Sequence, residues 1–382
     1  MQAAFLVATL CISGRTHTAT TAAVAVYGST PGAIMAAVSA ARLIKQMANG
    51  TSSAAPQDVI LVDPAHRIGG MSAGGLGRSD IGNPVVIGGL AHEFFLRVAK
   101  TYDCNVSECE PQYMLEPHIA ERVFTEMIAE AGVIHMKARG AIIAAPVADG
   151  KITQIELGDG TIVGDASTIY IDGSYEGDMM AATKAISYTY GREPRTKYNE
   201  SYAGRREPFS AMDHAPISPF DSSGNLPPYW QAGVTEVYAT PVGAGDKKVQ
   251  AYNFRLCVTT NTSNAVPFPK PIGYNRSEWS LVYKLAASAG GGNLKRFLNN
   301  FGALPNKKFD LNNGGVLSTD CAGCSWYYPD SNYTYRRTIY NMHKRYQQGF
   351  LWTLANDKAI PATLQAELNK YGQYSRAPTQ PN

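Results

Sequence analysis

Short apolar runs alternate with helical patterns through the first half of the chain. Ala22-Ala-Val-Ala-Val-Tyr27 predicts a β-strand, Gly28-Ser-Thr-Pro-Gly-Ala33 a tight turn, and Ile34 to Met47 an Ala-rich helix. A second strand follows in Asp58-Val-Ile-Leu-Val-Asp63. Helical spacing over Glu116 to Gly132 leads into Val133-Ile-His-Met-Lys137, a further parallel strand. Ile142 to Val147, Ile152 to Leu157 and Thr161 to Val163 are short strands separated by Asp149-Gly150 and Asp159-Gly160 turns, the pattern of a β-meander. Thr168-Ile-Tyr-Ile-Asp172 then returns to the sheet, followed by a turn of small residues and acids. Strands alternating with helices in this way predict an α/β fold with a parallel sheet.

The second half is patterned differently. Tyr188 to Pro271 is rich in Tyr, Pro, Gly and Asn without long helical periodicity, and is expected to form a mixed α+β cap on the substrate side. Helical spacing resumes from Trp279 to Leu298 and from Tyr333 to Leu354, where Tyr335, Ile339, Met342, Tyr346 and Phe350 form one face that reads as core. The expected divisions are a signal peptide over 1–21, a nucleotide-binding domain over 22–187, the cap over 188–330, a helical segment over 331–372 and a disordered tail over 373–382.

The turn at Gly28 carries the first candidate chemistry. In a dinucleotide-binding strand–turn–helix unit, the first glycine makes the turn, the second admits the pyrophosphate, and the third position must be small. Gly28 and Ala33 fill the first and third roles, but Thr30 stands where the second glycine belongs. Pro31 suits a first helical turn, whose free N–H groups, with Gly32 beside them, attract phosphate. Asp63 ends the next strand where a Rossmann-like fold places a carboxylate on the adenosine ribose, and it opposes a 2′-phosphate there. The glycine run Arg67-Ile-Gly-Gly-Met-Ser-Ala-Gly-Gly-Leu-Gly77 replaces the helix that an NAD dehydrogenase would start here. Its backbone, at Gly69, Gly70 and Met71 above all, can pass close to a long flat ligand, which favours FAD over NAD.

Composition narrows the partners. A net charge of +3 over 382 residues, without a long basic run, argues against nucleic acid. The apolar run Ala3 to Ile12 is too short to span a bilayer and suits a signal-peptide core; the alternative is a buried first strand. Six Asn-x-Ser/Thr sequons, at Asn49, Asn105, Asn199, Asn261, Asn275 and Asn332, favour secretion as a glycoprotein. Past the signal segment and its Cys11, the simplest cysteine pairing is Cys104 with Cys109 and Cys321 with Cys324, leaving Cys257 as a thiol. A metal site lacks a second ligand pair beside the Cys321-x-x-Cys324 motif, and none is expected.

Taken with Tyr27 to Ile34, the segments Ile68-Gly-Gly-Met71, Glu116-Pro-His118, Ile171-Asp-Gly-Ser-Tyr-Glu-Gly-Asp178, Val249 to Cys257, Asp310-Leu-Asn-Asn313 and Ser318-Thr-Asp320 resemble the FAD-dependent oxidoreductases of the two-dinucleotide-binding-domain type. The resemblance runs in order from about Val24 to Gly372. It implies FAD held by Gly28, Thr30, Ala33, Asp63, Arg67, Gly69, Gly70 and the Asp172 turn, and it leaves the small-molecule substrate and the oligomeric state open. Family members continue past the point where this sequence stops, so a truncated, catalytically inactive secreted form is the alternative expectation. For catalysis, Arg255 in an apolar run is the leading candidate, with a structural salt bridge as its equal alternative. His118 and His343 are weaker, and Tyr252, Asn253 and Asn313 are candidates for binding a hydroxylated substrate.

Overall fold

A computed structural model describes residues 8–12, 15–48, 59–65, 67–104, 109–138, 140–206, 217–220, 223–230, 240–288, 292–298, 301–315 and 317–375. The sequons at Asn49 and Asn105 and the residues after 375 lie outside them. The chain divides into two compact units, Met1–Tyr188 and Thr189–Asn382.

Unit 1 opens with β1 (Ala8–Ile12) and β2 (Arg15–Thr20), an antiparallel pair within the segment expected to be a signal peptide. Then come β3 (Val24–Tyr27), α1 (Pro31–Ala48), β4 (Val59–Asp63), the short α2 (Gly70–Gly74), α3 (Gly89–Lys100), α4 (Pro117–Ala131) and β5 (Ile134–Lys137). The meander is β6 (Ile142–Ala144), β7 (Val147–Ala148), β8 (Lys151–Ile152), β9 (Ile155–Leu157) and β10 (Ile162–Val163), after which β11 (Ile169–Asp172) and α5 (Asp178–Thr183) complete the unit.

Four strands form a parallel sheet in the order β11-β3-β4-β5, with Tyr27 opposite both Asp172 and Val62. Alternation within β3 explains the two faces. Val24 and Val26 join Leu61 and the helices α1 and α4 in one core, whereas Ala25 and Tyr27 join Ile60, Val62 and the meander in another. The Tyr27 hydroxyl accepts the Ile142 N–H at 3.0 Å, tying the sheet to the meander. β3, β4, β5 and β11 therefore all end on one edge, and the strand order reverses at β3, with β4 and β5 on one side of it and β11 on the other, the switch point at which open α/β sheets bind ligands.

Unit 2 contains α6 (Arg195–Tyr198), β12 (Leu256–Thr259), β13 (Ala265–Val266), α7 (Ser280–Ala287), β14 (Phe301–Leu304), β15 (Lys308–Leu311), α8 (Tyr333–Asn356), α9 (Ala362–Leu368) and β16 (Gly372–Tyr374). Its antiparallel sheet runs β13-β16-β12-β15-β14. Trp279, Phe297, Tyr346, Phe350 and Leu354 pack with Val258 in one core, so α8 shares its interior with the preceding region instead of forming a separate segment. Two sequence expectations need correction. The Trp279–Leu298 helix ends at Ala287, before a run of glycines. Residues 373 and 374, expected in the tail, are instead paired in the sheet, Gln373 with both Val258 and Val266 and Tyr374 with Ala265.

Candidate functional site

The strand–turn–helix unit is knitted to three other segments at the carboxyl edge of the sheet. Gly28 has φ of 125° and donates its N–H to Val62 O at 2.9 Å. A Cβ there would lie 2.6 Å from Gly173 O, so only glycine passes. Ser29 O accepts the Gly69 N–H at 2.8 Å, bringing the glycine run to the turn. Thr30, at the supposed second-glycine position, is buried and is the N-cap of α1: its Oγ1 accepts the Ala33 N–H at 3.1 Å and donates to Gly173 O at 2.7 Å. Pro31 takes the first helical position and Gly32 is exposed beside it. Ala33 packs directly on Gly173, the close helix–strand approach for which the third position must be small.

The acids at this edge are engaged by the protein itself. Asp63 is fully buried, with Oδ1 accepting the Ala65 N–H at 2.9 Å and Oδ2 lying 3.0 Å from His135 Nε2. Asp172 accepts from Ser174 N–H at 3.0 Å, Ser174 Oγ at 2.6 Å and Met180 N–H at 2.9 Å, so it shapes the turn after β11 and the start of α5. Arg67 points to solvent and pairs with Glu121 at 3.2 Å, and the side chain of Met71 is exposed. The Met71 N–H, however, donates to the Tyr175 hydroxyl at 2.9 Å. Desolvation pushes that phenol above its usual range. Sequence reading did not single out His135 or Tyr175; their spacing from Asp63 and Met71 is long-range and invisible to any local motif. A groove of about 620 Å³ between α3 and α4 is lined by Glu93, Arg97, Arg122 and Glu126, and no residue of the turn takes part in it.

The profile of the FAD dependent oxidoreductases matches residues 23–376. The chain belongs to this family. Its cofactor is FAD, and the turn fits that assignment: Gly28 leaves no room for a side chain, and α1 presents its N-terminus at the switch point. Among solved structures, the chain is similar to the L-proline dehydrogenase from P. horikoshii, at 11% identity and TM-score 0.30, over 46% of this chain and 58% of that one. It is also similar to the L-amino acid deaminase from Proteus vulgaris, at 12% identity and TM-score 0.25, over 40% of this chain and 47% of that one. It thus spans about half the length of these structures. No curated protein sequence matches it.

In this FAD dependent oxidoreductase the remaining candidates divide between the units. His118 is half-buried in the first turn of α4, in unit 1. Arg255 and Tyr252 belong to unit 2. Arg255 makes the salt bridge that was its alternative reading, with Nε 3.0 Å from Asp310 Oδ1 and a guanidinium N–H 2.5 Å from Oδ2. Tyr252 stacks edge-on to Tyr328 at 5.8 Å and lies 6.5 Å from the His343 ring. Beside Arg255 the sheet end gathers amides: Asn253 Nδ2 donates to Thr319 Oγ1 at 3.1 Å and Asn313 Nδ2 to Asp320 at 2.5 Å. Burial raises the Asp320 carboxyl, against the pull of the Asn313 and Asn253 amides and the Arg255 charge. Both expected disulfides, Cys104–Cys109 and Cys321–Cys324, are present with Cα atoms 5.5 Å apart, and Cys257 stands outside them. No group of metal-binding side chains occurs among the described residues.

Proposed function

We propose that the chain holds FAD in unit 1 and serves the oxidation of a small hydroxylated, sugar-like substrate bound by the amide-rich end of the unit 2 sheet. The Gly28–Thr30 crossing under Gly173 is the single observation that supports the flavin half. Gly28, Thr30, Pro31, Gly32 and Ala33 would line the pyrophosphate, with Gly69, Gly70 and Met71 alongside and Asp63 behind the ribose. Bound FAD supplies the acceptor for the substrate hydride. The protein's part is then to orient hydroxyl groups, for which Asn253 and Asn313 offer both donors and acceptors. Burial raises the Asp320 carboxyl above its ordinary range, and its Oδ2 accepts the Asn313 amide beside them.

Secretion belongs to the same reading. The two disulfides support it, as do the exposed sequon residues Asn199, Asn261, Asn275 and Asn332. Purified protein should take up FAD and show flavin absorbance, and anaerobic mixing with a panel of polyols and sugars should bleach it. Absence of flavin uptake overturns the reading; uptake without bleaching by any hydroxylated compound overturns the substrate half alone.

A further inference from the structure

Three segments close into a ring of contacts at the first turn of α1. Ser29 O accepts the Gly69 N–H at 2.8 Å, the Met71 N–H donates to the Tyr175 hydroxyl at 2.9 Å, and Gly173 O accepts from Thr30 Oγ1 at 2.7 Å. The ring thus runs from the turn to the glycine run, across to the segment after β11, and back to the turn. Its first link joins backbone to backbone, and its last is a buried hydroxyl beside the packing of Ala33 on Gly173. The Tyr175 link is of another kind. The side chain is 55% exposed, and among the described residues a single hydrogen bond holds it.

Its phenol stands where the three segments meet. A Cβ on Gly70 would collide with the Tyr175 hydroxyl and come within 3.2 Å of Cδ of Pro31, the first residue of α1. The backbone that carries Tyr175 is pinned on both sides. Asp172 accepts the Ser174 N–H at 3.0 Å and the Met180 N–H at 2.9 Å, and Ser174 Oγ accepts the Asp178 N–H at 2.8 Å. Rotating the tyrosine outward therefore breaks one hydrogen bond and leaves the frame in place.

We infer that Tyr175 is a gate on the flavin turn, closed in this structure by its bond to the Met71 N–H; this rests on unit 1 being the FAD site. FAD enters and leaves while the phenol is turned outward, and the bond re-forms behind it. Because the same bond closes the gate before and after binding, it sets the rate of exchange and not the affinity.

Stopped-flow flavin fluorescence on the full chain gives the association rate of FAD, and fluorescence recovery on dilution gives its release, in wild type, Tyr175→Phe and Tyr175→Ala, with thermal melts alongside. Losing one modest hydrogen bond should raise both rates of Tyr175→Phe by the same factor, roughly three- to tenfold, and leave their ratio, the Kd, unchanged. Tyr175→Ala should exchange FAD at least as fast, and both variants should melt like wild type. Faster release with an unchanged association rate overturns the inference and makes the hydroxyl a direct contact of the flavin. Wild-type rates in both variants overturn it as well. A melting point lowered in step with faster exchange, or failure of both variants to fold, makes the contact structural and also overturns it. Wild type that takes up no FAD overturns the flavin reading and this inference together.

Discussion

Gly173 lies so close to Ala33 that a Cβ on it would stand 2.7 Å from the Ala33 Cα. The contact joins the end of β11 to the first turn of α1 through backbone atoms that cannot rotate aside. Gly173→Ala should therefore cost about 1–3 kcal/mol, the usual range for overpacking, and weaken FAD retention as the turn is pushed open. Urea unfolding and flavin content after gel filtration measure the two effects; a variant as stable and as yellow as wild type contradicts the packing argument.

Thr30 predicts a graded series. Thr30→Ser keeps the hydroxyl that caps α1 and reaches Gly173, and should stay within a few tenths of a kcal/mol of wild type. Thr30→Val keeps the shape but loses both bonds, which should cost about 1–2 kcal/mol. Thr30→Gly restores the residue expected from the dinucleotide pattern, yet should be less stable than Thr30→Ser. Denaturant midpoints of the three variants decide it.

Arg255 predicts a loss of stability more than a loss of chemistry. Arg255→Ala leaves Asp310, 1% exposed, without its bidentate partner. The cost should approach about 3 kcal/mol, the lower end for buried pairs, because Arg255 itself keeps 21% exposure. Replacing Asp310 by Asn as well should recover part of it. If Arg255→Ala melts like wild type while substrate no longer bleaches the flavin, the arginine is catalytic after all.

Unit 2 should lose stability in mild acid. His343 is buried on α8 with Nδ1 donating to Ile339 O at 2.8 Å, and burial holds its pKa below 6.5. As pH falls through about 6.5 the unfolded chain takes up a proton that the folded chain refuses, so stability declines. Asp357 acts at lower pH: the Arg276 hydrogen bonds bring its carboxyl from 3.8 down to about 2. Its contribution is complete above 3.8 and disappears as pH falls through about 2. Melting curves between pH 8 and 5 should slope downward for wild type and flatten for His343→Gln; equal slopes would remove His343 from the account.

Much of unit 1 was legible because its elements are announced locally. The 3.6 and 2 periodicities located α1, α4, β3, β4 and β5, and the Asp149-Gly150 turn is confirmed by its positive φ values of 49° and 74°. The roles of side chains were harder to read. Thr30 looked like a defective glycine because its partner, Gly173, is 143 residues away. Asp63 and Asp172 stand where expected, but the donors that occupy them come from β5 and from the turn itself. Arg255 was balanced between two meanings in the sequence, since a buried arginine needs an anion and the sequence does not say whether Asp310 supplies it.

The strand order of unit 2 has a consequence for how the chain is made. β16, at Gly372–Tyr374, sits between β13 and β12, so two strands synthesised more than a hundred residues earlier must wait for it. Unit 1 closes its parallel sheet with β11 and can be finished on the ribosome. Unit 2 waits longer: until residues 372–374 emerge, the backbone of β12 and β13 offers bare edges to any passing strand, and these are the surfaces a chaperone would have to guard.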